Sequence, residues 1–147
     1  MLFRSGWALG REDVIESLGR IKTNIDSGIF EAVQYAGIEA LENPGNCIEK
    51  NNKLYTERRD LLVNNLQELG WDIEKNKASF YLWVKVPEAG VSSQEFSRKV
   101  FQDTGVFFTP GHGYGEYGEG FIRIALTVKK DRIEEACSRL AENGFKY

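Results

Sequence analysis

The chain has 147 residues, of which 41% are hydrophobic and 28% charged, with 19 basic against 22 acidic side chains and a net charge of −3. This composition excludes disorder, collagen-like repeats and coiled coil, and the length suits one ordinary domain whose core needs neither disulfide nor metal. The charge balance shows no basic cluster of the kind that binds nucleic acid, and no apolar run approaches the ~20 residues of a membrane span.

In chain order, the apolar stretch over residues 1–10 is long enough for one strand and a turn. Val14, Ile15, Leu18 and Ile21 then share one helical face, which predicts a helix over 11–21. Asp26 or Ser27 is placed to cap a second helix over 29–41, which closes before Asn43-Pro44-Gly45 because proline cannot continue it. Residues 46–69 form the longest predicted helix, with Ile48, Tyr55, Leu62 and Leu69 recurring every seven residues and Gly70 as a left-handed cap. Here the period shifts to two. Phe80, Leu82, Val84 and Val86 alternate with Tyr81, Trp83 and Lys85, a strand whose second face is aromatic. Ser92 and Glu95 make a capping box for a helix to about Asp103. Short strands are predicted at 106–108 and 121–126, and Ile133, Ala136, Cys137 and Leu140 place a final helix over 129–143. The fold class implied is α/β, with long N-terminal helices followed by a small mixed or antiparallel sheet covered by helices, an α+β arrangement. Cys47 and Cys137, far apart in helix-like segments, read as small buried thiols of a reducing compartment.

The most conspicuous stretch is residues 111–120, with glycines at 111, 113, 115, 118 and 120. Gly113 to Gly118 spells G-x-G-x-x-G, but a strand follows it where a dinucleotide site needs a helix N-terminus. The dinucleotide reading therefore fails, and a hairpin-like loop is the plain alternative. On the strand that follows, Ile122, Ile124 and Leu126 share one face, so Arg123 projects from the other. Its planar fork suits a bidentate carboxylate, although a solvent-facing or internally paired arginine satisfies the same pattern. The sole histidine, His112, has no metal-binding or nucleophile partner in sequence, so no metal site and no catalytic triad can be assembled. Glu116 and Glu119 read as loop carboxylates facing water. Lys50 and Arg58 read as the solvated side of the long helix.

The run Thr109-Pro110-Gly111-His112-Gly113-Tyr114-Gly115-Glu116-Tyr117-Gly118-Glu119-Gly120-Phe121-Ile122-Arg123-Ile124-Ala125-Leu126-Thr127 resembles the C-terminal signature of class I/II pyridoxal-phosphate aminotransferases of fold type I. Two further segments fit in the same order. Lys22 to Phe30, with Gln34 and Ala36 after it, resembles the part that reaches the neighbouring subunit's active site. Lys77-Ala78-Ser79-Phe80-Tyr81-Leu82-Trp83 resembles the small-domain strand after the long helix. The variant present is most similar to LL-diaminopimelate and aspartate-type aminotransferases.

The resemblance implies a transaminase that exchanges an amino group between an amino acid and a 2-oxo acid through pyridoxal 5'-phosphate. Arg123 is then the substrate α-carboxylate ligand and Arg4 the cofactor-phosphate ligand, while the Schiff-base lysine falls upstream of Met1. Residues 1–45 become a remnant of the large cofactor-binding domain with its connecting helix, and 46–147 the C-terminal small domain. A cytoplasmic homodimer without nucleic-acid or membrane partners is implied for the full-length enzyme, and no activity for the chain alone. Two alternatives keep the fold: a non-catalytic ligand-sensing domain of a transcription regulator, and a lyase or synthase using the same cofactor.

Overall fold

A computed structural model describes residues 6–147, in two compact units, Met1–Ile48 and Glu49–Tyr147. In the first unit, residues 6–10 form no strand, and the rest of the predicted strand and turn lies outside the described residues. Helix α1 spans Glu12–Ile25, one turn beyond its expected end. Thr23 and Asn24, beyond the expected end, turn their side chains back to the Arg20 carbonyl and leave the helix intact. Helix α2 spans Glu31–Glu42 with Phe30 at its N-cap and no side-chain cap bond. The expected cap is spent elsewhere, because Asp26 Oδ1 accepts from the Gly28 N–H at 2.9 Å. Neither helix buries a single residue.

The long helix α3, Cys47–Glu68, carries Leu62, Val63 and Leu66 into the core of the second unit. Cys47 is exposed at its start, against the expectation of a buried thiol, because the first turns of α3 contribute nothing to that core. Cys137 is buried, and burial pushes its thiol up to about 11, so it stays protonated. Arg58 also departs from its expected solvated position. It is half-buried, donates to the Leu126 carbonyl at 3.0 Å and lies over the Tyr55 ring.

Gly70 takes the expected left-handed conformation, φ 88°, and turns the chain out of α3. Strand β1 is Tyr81–Lys85, helix α4 Ser93–Thr104, strand β2 Thr109–Pro110, strand β3 Phe121–Ala125 and helix α5 Lys130–Glu142. The capping box forms as the sequence predicts, with Ser92 and Glu95 each bonding the other's backbone N–H. The sheet is antiparallel in the order β1-β3-β2, with Trp83 opposite Arg123 and Thr109 also opposite Arg123 on the other side. The strand expected at 106–108 is found at residues 109–110. Val106 is tied instead to the Thr104 hydroxyl, and Phe108 leaves the ladder to enter the core.

Period-two alternation gives the sheet two unlike faces. Leu82, Val84, Ile122 and Ile124 point into one apolar cluster with Phe96 and Val100 of α4 and Ile133, Cys137 and Leu140 of α5. Trp71 fills its centre, edge-on to Phe96 at 5.7 Å and donating its indole N–H to the Phe145 carbonyl at 3.0 Å. The opposite face bears Tyr81, Trp83, Phe121 and Arg123, half-buried or exposed.

Candidate carboxylate-binding site

Arg123 stands mid-strand on that aromatic face. Its guanidinium carbon lies 4.1 Å from the Tyr81 ring centroid and 4.7 Å from that of Tyr114. Trp83 and Phe121 stack at 5.9 Å alongside, and Trp83 meets Tyr114 edge-on at 5.6 Å. No carboxylate lies within ion-pair distance of Arg123 among the described residues, where nine other ion pairs form. The two simpler fates of a strand arginine, pairing with a protein carboxylate or extending into water, are thus both replaced by packing on rings. Rings attract the face of a guanidinium but cannot accept its in-plane N–H bonds, so the fork keeps its capacity for an external carboxylate.

Tyr114 reaches Arg123 because of the glycine-rich stretch. The expected hairpin-like loop is two short 3-10 turns, Gly111–Tyr114 and Glu116–Gly118. Gly111 and Gly118 approach so closely that a Cβ on either would strike the other's carbonyl oxygen. Glu119 is exposed, as expected of a loop carboxylate, but it is also tied down. Its Oε1 accepts from the Ser93 N–H at 2.7 Å and its Oε2 from the Ser93 hydroxyl at 2.9 Å, at the first turn of α4. The Ser93 hydroxyl in turn receives the His112 N–H at 3.4 Å. The N–H groups of Ser93 and Gly120, then the Ser93 hydroxyl, hold the Glu119 carboxyl below the usual glutamate value. The helix N-terminus favours the same charge.

The other sequence candidates stand apart from this arrangement. His112 and Glu116 are exposed, and among the described residues no cluster of His, Cys, Asp and Glu has the make-up of a metal site. Arg4 lies outside the described residues. No described helix is long and apolar enough to cross a membrane. Tyr81 and Tyr114 do not stand out in the sequence as site residues. The available signal is the aromatic second face of β1, which shares its side of the sheet with Arg123.

A family model described as aminotransferase class I and II matches residues 2–140. The chain belongs to this family. It is 66% identical over 145 residues to an LL-diaminopimelate aminotransferase of Halothermothrix orenii, covering 99% of this chain and 37% of that protein. To an LL-diaminopimelate aminotransferase of Moorella thermoacetica it is 54% identical over 138 residues, or 94% of this chain and 35% of the relative. Among solved structures it superimposes on a probable N-succinyldiaminopimelate aminotransferase from Thermus thermophilus with a TM-score of 0.81 and 33% identity, covering 92% of this chain and 36% of that one. The chain thus spans little more than a third of the length of the curated relatives it matches. The aminotransferase resemblance read from residues 109–127 holds, and so does the expected helix-covered small sheet.

Proposed function

We propose that this chain is the C-terminal part of a pyridoxal 5'-phosphate-dependent transaminase of the LL-diaminopimelate or aspartate type. The full-length enzyme would move an amino group between an amino acid and a 2-oxo acid. Residues 1–45 are read as belonging to the large domain and its connecting helix, and 46–147 as the small domain. The reading extends to a cytoplasmic homodimer in which the chain alone does not transfer amino groups.

One observation carries the proposal: a guanidinium held on aromatic rings, with no internal carboxylate among the described residues, at the position where the family signature places its arginine. The described residues fit the substrate's side of such a site. Those assigned to the cofactor itself are Arg4 and a lysine upstream of Met1, so no step is built on them. When bound, the cofactor supplies an electron sink for the pair left at the substrate Cα. Arg123 contributes binding and orientation. A bidentate grip fixes the α-carboxylate in the plane of the guanidinium, which restricts rotation about the Cα–carboxylate bond and presents the Cα–H in one direction.

The test is Arg123→Ala in the full-length enzyme. We expect kcat/KM for the amino acid to fall on the order of 10²–10³-fold, because the carboxylate loses its charged partner. An unchanged kcat/KM would remove Arg123 from the site.

A further inference from the structure

The turn before β1 is strained. Ser79 has φ 78°, and it is the single non-glycine residue with positive φ among the described residues. A residue with a Cβ resists this conformation, which persists where neighbouring bonds over-determine it. Those bonds are present here. The Asn76 side-chain amide donates to the carbonyls of Ala78 and Tyr81, the latter at 2.9 Å. The Ser79 hydroxyl accepts from the Tyr81 N–H at 3.2 Å. Arg59 of α3 donates to the Asn76 carbonyl at 2.9 Å and pairs with Asp60 at 2.9 Å, so the turn is fixed to the long helix. Phe80 adds an aromatic contact with Tyr55 at 5.7 Å.

Two of these bonds hold the Tyr81 backbone directly, at its carbonyl and its N–H, and the others fix the turn that leads into it; the Tyr81 ring packs on Arg123. The second ring, Tyr114, is placed by a separate brace, the Glu119–Ser93 pair that ties the 3-10 turns to α4. Two unrelated devices thus deliver two rings to one guanidinium.

We propose that Tyr81 and Tyr114 are positioning residues for carboxylate recognition. They hold the Arg123 guanidinium by its face, so that its N–H edge is oriented before substrate arrives. The inference rests on Arg123 being the carboxylate ligand. An arginine left to sample its rotamers loses that freedom on binding, whereas one packed on rings has already lost it, and more of the contact energy appears as affinity. The Tyr81 hydroxyl has no part in this, so a phenylalanine ring suffices at that position.

The experiment compares two amino donors in the full-length enzyme: LL-diaminopimelate and cadaverine, the diamine left when both carboxylates are removed. In Tyr81→Leu the ratio of kcat/KM for the amino acid to that for the diamine is expected to fall about tenfold, chiefly through KM. Tyr81→Phe is expected to restore the ratio to within about twofold of the parent. A purely structural role lowers both donors together and leaves the ratio unchanged, which overturns the inference. Should Tyr81→Leu fail to fold, Tyr114→Leu, at a half-exposed ring, carries the same comparison, and the same two outcomes support or overturn the inference. Arg123→Ala separates recognition from positioning. If that variant loses the ratio while the tyrosine variants keep it, only the positioning role falls. If Arg123→Ala also keeps it, the carboxylate reading falls and takes the positioning role with it.

Discussion

Helices α1 and α5 carry the same kind of amphipathic spacing and end in opposite environments. On α5, Ile133, Cys137 and Leu140 are buried in the cluster formed with the sheet, α3 and α4. On α1, Val14, Leu18, Ile21 and Ile25 are exposed, Ile25 at 73%, and no residue of that helix is buried. Period and polarity decide that a helix has an apolar face, whereas burial also requires a second apolar surface. In the unit Glu49–Tyr147 the sheet supplies that surface. Among the described residues of the unit Met1–Ile48 none is buried, and Leu18, Phe30, Tyr35 and Leu41 are exposed.

The comparison is most exposed to failure at the core. Phe96 is fully buried, edge-on to both Trp71 and Phe145. Phe96→Ala is expected to cost about 3–5 kcal/mol in urea denaturation of the chain, from lost transfer energy and the cavity left behind. A cost below about 1 kcal/mol would show that this cluster is not what holds the second unit together.

The brace under the site gives a smaller effect with a definite sign. Glu119 is held below its usual value by hydrogen bonds to Ser93 and Gly120, so folding favours the carboxylate. Because the folded state binds its proton less readily than the unfolded state, the contribution is complete above the unfolded value. It is lost as pH falls below the ordinary glutamate value of 4.5, through the lower folded one. The stability difference between the parent and Glu119→Gln, followed by urea midpoint, is therefore expected at neutral pH and to shrink on acidification. A difference independent of pH would mean that the Glu119 charge does not matter to the brace.

Legibility in the sequence divides along the same line. Features fixed by neighbours in the chain are readable: the alternation of Leu82, Val84 and Val86, the Ser92–Glu95 box, and the left-handed turn at Gly70. Arg123 is readable too, since one strand's alternation settles its face. What stays hidden depends on partners far along the chain. Glu119 looks like a loop carboxylate because its partner Ser93 is 26 residues away. Arg58 looks like a surface cation because Leu126 is 68 residues away. The strain at Ser79 carries no compositional mark, since serine there replaces the glycine that a left-handed turn would announce. Cys47 fails differently. Its spacing is right for a helix, but the first turns of that helix have no core to enter.

The smallest predicted effect bears most directly on the contrast. Leu18 sits mid-helix on the apolar face of α1 and is 47% exposed. Truncating a half-exposed leucine that borders no core removes little area from any partner, and alanine is the better helix former. Leu18→Ala in this 147-residue chain is therefore expected to change its stability, read from the urea midpoint, by no more than about 0.5 kcal/mol. The reading of residues 1–45 as part of a large domain expects the same substitution to behave as a core truncation in the full-length enzyme, costing about 2–5 kcal/mol. Equal and small effects in both settings would make the apolar face of α1 a surface in its own right and break that reading. A large effect in the short chain would mean that Leu18 has a partner there, and α1 and α5 would no longer differ in kind.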